Sequence, residues 1–205
     1  MKGKNHVART KFNYMATGRP YNDADPRLDT LRDLATLKTN NINNENDHAK
    51  KEILIKELFG STGEHPFVNP NFRCEFGQNI HVGDNFYANY DCTILDGAPV
   101  YIGNNVLFGP KVGLYTSNHL FDPAERKAGG CVAHSIGIGD NVWLGAGVSV
   151  TPDTIIGRNS IIGAGSVVVN DIPDNVIAAG NPCKVIRKIT AADRTGFDPN
   201  SGQFI

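Results

Sequence analysis

From Ile138 onward the chain divides into sixes: IGDNVW, LGAGVS, VTPDTI, IGRNSI, IGAGSV and VVNDIP. Ile138, Leu144, Val150, Ile156, Ile162 and Val168 hold the first position, and the fifth is Val142, Val148, Thr154, Ser160, Ser166 and Ile172. A period of six accommodates the strand period of two and is too short for a pair of helices. It predicts short strands separated by corners, with glycine at the second position (Gly139, Gly145, Gly157, Gly163) where the backbone must be tight. The same register occurs earlier as VGDNFY, ANYDCT, ILDGAP, IGNNVL and FGPKVG, with a step of eight between Ile94 and Ile102 that enlarges one corner. The pattern predicts a mainly β solenoid over residues 61–189, three sixes to a turn, with a continuous aliphatic core.

The rule lapses between Leu114 and Ile138, in an excursion over about 116–136 that contains SNHLFDPAER. Excursions from a regular scaffold are commonly functional. Here a histidine, His119, arrives with Asp122 and Arg126, which are expected to brace the loop as a pair.

Ahead of the solenoid the period changes. Asp25-Pro26 reads as a helix start, with Asp as cap and Pro at the first helical position. Leu28, Leu31, Leu34 and Leu37 then mark one apolar face. TNNINNEND reads as a linker, and a second helix is expected from Asp47 to Phe59 with Ile53, Leu54 and Leu58 inward and Gly60 as its stop. Residues 14–60 thus form a helical module able to cap the first open turn, 1–13 a disordered leader, and 190–205 a flexible tail.

Composition narrows the function classes. Twenty Lys+Arg against 21 Asp+Glu give a formal charge of -1, so no nucleic-acid or membrane-surface partner is indicated. No membrane span or signal peptide is apparent, and the location expected is cytoplasmic. The four cysteines, Cys74, Cys92, Cys131 and Cys183, lack metal-site or disulfide-framework spacing and are expected as free thiols, none of them placed for covalent catalysis.

FRCEFGQNIHVGDNFYANYDCTILD, IGNNVLFGP, SNHLFDPAER, IGDNVWLGAGVSV and IIGAGSVVVNDIPDNVIAAGNPCKVIRKI resemble the maltose and galactoside O-acetyltransferases of the hexapeptide-repeat superfamily. MATGRPYNDADPRLDTLRD is similar to the helical module of the maltose enzymes, so the likeness spans about Met15 to Ile189. It implies a left-handed parallel β-helix, a homotrimer with active sites between subunits, acetyl-CoA as co-substrate with no metal, and a small-molecule sugar acceptor. The implied roles are His119 as general base and Asn89 positioning the acceptor hydroxyl. Asp23, Arg32, Glu75 and Tyr87 would line the acceptor pocket, and Trp143 would shape the site. Backbone at Gly145, Ala146 and Ala164 would meet the pantetheine arm, and Lys184 and Arg187 the nucleotide end. Three positions depart from the family pattern. Val169-Asn170 stands where relatives often carry Thr-Lys beside the phosphates, Glu75 where galactoside enzymes have a small serine, and Ser135-Ile136 where Pro-Ile is usual.

These residue types suit acyl transfer. A sugar hydroxyl is a poor nucleophile at neutral pH, and a histidine, with a reference pKa of about 6.5, can take its proton. The developing oxyanion needs a donor, for which a backbone N–H near Gly145-Ala146 is the candidate. Of the other histidines, His81 is expected to be solvated, His65 lies in a linker, and His134 at the far end of the excursion is the alternative base. Three other functions compete: an acetyltransferase with a non-sugar acceptor, a γ-carbonic-anhydrase-like metalloenzyme needing three converging histidines, and a non-catalytic solenoid.

Overall fold

The computed structural model describes residues 14–198 and 200–204, so the leader expected at 1–13 lies outside the described residues. Residues 61–179 coil into a prism with three faces, each a parallel sheet of two- to four-residue strands. The first face stacks Ser61–Thr62, Ile80–Val82, Val100–Ile102, Ile136–Ile138 and Thr154–Ile156. The second stacks Phe67–Val68, Tyr87–Ala88, Leu107–Phe108, Trp143–Leu144, Ile161–Ile162 and Val176–Ala179. The third stacks Arg73–Cys74, Thr93–Leu95, Gly113–Tyr115, Ser149–Val150 and Val167–Val168. The final strand, Lys184–Lys188, turns back antiparallel on Val176–Ala179 and closes the last coil. Past it the tail carries a 3₁₀ turn, Ala191–Asp193, and a two-residue antiparallel pair.

The six-residue rule is the core. All twelve first- and fifth-position residues from Ile138 to Ile172 are at most 4% exposed. Glycine at the second position serves close approach: a Cβ on Gly139 would lie 2.6 Å from the amide nitrogen of Arg158 in the next coil. The left-handed conformation falls instead on the fourth position, where Asn85, Asn105, Asn141 and Asn159 have positive φ, as does Asn175, which stands over Asn159 in a last coil shorter by two residues. Asparagine tolerates that region best after glycine. Each side-chain amide donates to the next over 2.9–3.1 Å, a ladder running up one corner of the prism.

The helices start where the caps indicate. Helix α1 spans Pro26–Asn44 behind N-cap Asp25, and α2 spans His48–Leu58 behind Asp47, whose carboxylate accepts from the amides of Ala49 and Lys50. Their inward faces differ from expectation. In α1 the buried positions are Leu28, Ala35, Thr39 and Ile42, while Leu34 and Leu37 are exposed. A run spaced by threes drifts round a helix of 3.6 residues per turn, so Leu37 sits about 180° from Leu28. In α2 the inward residues are Lys51, Ile55 and Leu58, and Ile53 faces solvent. The asparagine-rich segment is the end of α1 rather than a linker. Asn43 binds both the N–H and the C=O of Phe72, and Asn40 accepts from Arg73 (3.0–3.2 Å), which ties the helix to the first coil.

The corner between the third and first faces carries buried polar groups that shape the exit of the excursion. Asp96 is fully buried and accepts from the amides of Glu75, Phe76 and Asn79 at 2.8–3.2 Å. Thr116 donates to the carbonyl of Leu95 and accepts from the amide of Ala98. Burial, only partly offset by the backbone donors, pushes the Asp96 carboxyl up to about 6 from 3.8. The native state therefore holds the Asp96 proton where the unfolded chain has lost it, and stability falls as pH rises from about 4 to 6. The shift corresponds to roughly 3 kcal/mol. Replacing Asp96→Asn removes this dependence. Its stability deficit in urea titrations is expected to narrow by about that amount between pH 4 and pH 7. A deficit unchanged with pH would contradict the assignment.

Candidate active site

The excursion forms a three-stranded antiparallel sheet in which Gly130–Ala133 lies between Ser117–His119 and Tyr21–Asn22 of the N-terminal module. The module is thus a strand of the sheet that holds His119, beyond its capping role. Helix α3, Pro123–Lys127, fills the tip of the excursion. Asp122 caps it, accepting from the amides of Ala124 and Glu125, and Arg126 donates to the carbonyls of Leu120 and Phe121. Both brace the loop through backbone groups rather than as the ion pair expected.

His119 is exposed, and its Nδ1 lies 3.1 Å from Sγ of Cys131. One of the four thiols therefore adjoins the imidazole, a contact the sequence did not indicate. All four are free. Behind them stands a charge cluster. Arg32 spans Asp23 and Glu75 (2.7 Å to Glu75), reaches Asp29 at 3.1 Å, donates to the carbonyl of Asp23, and lies 5.4 Å from the Phe76 ring centre. Burial pushes the Glu75 carboxyl above the ordinary glutamate range, and its bond with Arg32 offsets part of that. Asp23 and Glu75 both act on the Cys131 thiol, so His119, Cys131, Asp23, Arg32 and Glu75 form one neighbourhood.

The remaining candidates lie elsewhere on the prism. Asn89 stands at the corner between the second and third faces, in the column that continues through Gly109, Gly145 and Gly163. Its Oδ1 accepts from the amide of Tyr90 at 2.8 Å, the ordinary corner role, which leaves Nδ2 unpaired among the described residues. Beside it, Ala146 and Ala164 are exposed. The N–H of Gly145 is taken by Ile162, but those of Ala146 and Ala164 donate to no partner among the described residues. Gly147 and Gly165 next to them have positive φ and nothing within 4 Å of a would-be Cβ. The result is a bare shelf edged by unpaired amides, which suits a slender chain that itself carries amides. Trp143, half exposed, projects from the second face between Leu107 and Ile161, and Tyr87 stacks on Phe67 with its hydroxyl bound by Asn69.

The nucleotide-end candidates divide. Lys184 is exposed, whereas Arg187 makes a two-pronged pair with Asp193 at 2.7–2.9 Å, a pairing not foreseen in the sequence. Asn170 and Val169 are exposed just past the last strand of the third face, at the end of that face away from the shelf. Of the other histidines, His81 is partly buried, bonded to Ser61 at 2.9 Å and stacked on Tyr101, so it is not simply solvated. His134 is packed against the turn at Gly18. Among the described residues no three His, Cys, Asp or Glu side chains converge as a metal-ligand set, and no helix is long and apolar enough to cross a membrane.

A prism of hexapeptide coils, capped by a helical hairpin and interrupted by a histidine-bearing excursion, is the architecture of hexapeptide-repeat transferases. The family model described as bacterial transferase hexapeptide (six repeats) matches residues 135–170, and the maltose acetyltransferase hexapeptide capping motif matches 14–63. The galactoside O-acetyltransferase of Escherichia coli strain K12 is 49% identical over 145 residues, covering 71% of each chain. A maltose O-acetyltransferase from Clostridium difficile 630 superposes with a TM-score of 0.84 at 45% identity, over 88% of this chain and 97% of that one. A galactoside acetyltransferase solved with coenzyme A superposes at 0.85 with 41% identity, over 89% and 92%. The chain belongs to the maltose and galactoside O-acetyltransferase family of hexapeptide-repeat acyltransferases, and the left-handed parallel β-helix expected from the resemblance is its architecture.

Proposed function

We propose that the protein transfers the acetyl group of acetyl-CoA to a sugar hydroxyl, with His119 as general base, at sites each built from two protomers of a trimer. The observation that carries this is the division of the parts. His119 and the Asp23–Arg32–Glu75 cluster occupy the corner where the excursion leaves the third face. Asn89 and the unpaired amides of Ala146 and Ala164 occupy the corner at that face's other end. One chain holds both halves, a face apart, and a neighbour in a closed ring would supply the complementary half.

Acetyl-CoA supplies an activated acyl group whose thioester the hydroxyl attacks directly. Its pantetheine arm lies along the shelf, where the N–H groups of Ala146 and Ala164 satisfy its amide oxygens or the developing oxyanion. One such donor is worth roughly 2.7–4 kcal/mol at the point of attack. Nε2 of His119 takes the hydroxyl proton as the C–O bond forms and returns it to the departing CoA sulfur, so no covalent enzyme intermediate is needed. The Asn89 amide, free to donate, orients the acceptor. Arg32, between two carboxylates, presents acidic acceptor groups toward sugar hydroxyls, which a carboxylate binds better than a small serine does. Lys184 meets the nucleotide phosphates. Arg187 shares its guanidinium with Asp193, and Asn170 adds no charge, so the phosphate grip rests on fewer cations than the family pattern provides.

Purified protein incubated with acetyl-CoA and a sugar panel, with released thiol as readout, tests this. At least one sugar is expected to raise CoA release tenfold or more over the hydrolysis background, about 1.4 kcal/mol of barrier. A flat panel from protein that binds acetyl-CoA would remove the sugar acceptor from the reading. Absence of CoA binding would remove the reaction class.

A further inference from the structure

Cys131 occupies the middle strand of the excursion sheet, directly opposite His119 on one side and Tyr21 on the other. Directly opposed residues of antiparallel strands project from the same face. The thiol therefore sits between phenol and imidazole, and Cys131 is only 3% exposed while His119 is open to solvent. With Nδ1 turned to the sulfur at 3.1 Å, Nε2 is the ring nitrogen left to face a substrate.

A cysteine in contact with a histidine raises the question of a nucleophile, and the surroundings argue against it. Burial, with Asp23 and Glu75 adding to it and Arg32 opposing, pushes the thiol up to about 11. At neutral pH only about one such thiol in ten thousand is ionised, whereas reactive cysteines sit in exposed, electropositive places.

We propose that Cys131 is the positioning residue of His119: its buried sulfur accepts the Nδ1–H and leaves the Nε2 lone pair aimed at the acceptor hydroxyl. This rests on the reading of His119 as the base. A neutral imidazole has two tautomers, and only the one protonated at Nδ1 can act as a base through Nε2. A thiol can accept from Nδ1 or donate to it, and donation would put the proton on Nε2 and idle the base. The excess negative charge of Asp23 and Glu75 over Arg32 beside the sulfur favours an N–H dipole pointing toward it. Sulfur is a weak acceptor, so the gain lies in fixing tautomer and ring plane rather than in bond strength.

The test compares full-length wild type, Cys131→Ala and Cys131→Ser, each labelled with ¹⁵N-histidine. In the wild type, His119 is expected to be mainly the Nδ1–H tautomer. Cys131→Ala should lose that preference and lower kcat about tenfold while KM for acetyl-CoA stays unchanged, as a tautomer-holding partner requires. Cys131→Ser keeps a small acceptor and should retain both the tautomer and kcat within about threefold. Tautomer and kcat both unaltered in Cys131→Ala, beside an inactive His119→Ala, would overturn the positioning role alone. A fully active His119→Ala would overturn the base reading and the proposal with it. An inactive Cys131→Ser, with acetyl-enzyme accumulating on wild-type Cys131 by intact mass, would make the thiol a nucleophile and overturn both.

Discussion

Replacing His119→Ala is expected to lower turnover between a hundredfold and ten-thousandfold, the range a positioned general base supplies. In free energy that is roughly 2.7–5.5 kcal/mol of barrier. The loss should fall on kcat. The imidazole is exposed and its one hydrogen-bond contact among the described residues is with Cys131, so removing it opens no core cavity. The shelf at Ala146 and Ala164 lies at another corner, so acetyl-CoA affinity by calorimetry and the oligomeric state by light scattering should match the wild type. Stopped-flow detection of released thiol gives kcat. Turnover within a factor of three of wild type would assign the proton to another group, with His134, packed at the Gly18 turn, next in line.

The solenoid was legible because its geometry allows little choice. A coil that returns to the same face must place an apolar residue at the same phase each time, and Ile138, Leu144, Val150, Ile156, Ile162 and Val168 record that phase directly. The enlarged corner after Ile94 was legible as a count, but its content was not. Only the fold brings Asp96 under the amides of Glu75, Phe76 and Asn79. Helix faces are less legible: spacing by threes carries Leu34 and Leu37 of the first helix round to solvent, and in the second helix Ile53 is exposed while Ile55 and Lys51 do the packing. The asparagines before Glu45 read as linker because their propensity is poor, yet Asn43 has a tertiary partner in Phe72 that outweighs propensity. The motif signalled His119, Asn89 and the Asp23–Arg32–Glu75 set. The Cys131 contact joins residues 12 apart across a hairpin whose register the sequence does not state, although alternation along GGCVA opposite SNH would have suggested it.

The division of candidate groups between two corners also bears on how the excursion is held. The Tyr21–Asn22 strand joins its sheet and Arg32 of α1 closes its charge cluster, so the N-terminal module reaches the surroundings of His119 through backbone pairing and through one cation. A module that only capped the first coil would leave His119 unaffected by changes in α1. The structure makes the two inseparable.

The second large effect is therefore expected at Arg32, and it is chiefly one of stability and acceptor affinity. Replacing Arg32→Met keeps the aliphatic bulk over Phe76 but strips the cation from Asp23 and Glu75, whose side chains are 31% and 14% exposed. Breaking a buried pair from one side costs roughly 3–5 kcal/mol. Partial exposure of this cluster reduces that to about 2–3 kcal/mol at neutral pH. The sign of the pH dependence follows from Glu75. Its carboxyl already stands above the ordinary range through burial, and loss of the Arg32 bond raises it further. Native Arg32→Met therefore binds a proton that the unfolded chain releases, and its deficit grows as pH rises through and beyond the usual glutamate range. Urea titrations should find the variant closer to wild type at pH 5 than at pH 8, with KM for the sugar raised at least tenfold and KM for acetyl-CoA little changed. Adding Glu75→Gln removes the more buried of the two orphaned charges and should recover much of the stability but not the sugar affinity. Failure of the double variant to recover stability would show that the unpaired Glu75 charge is not the source of the deficit.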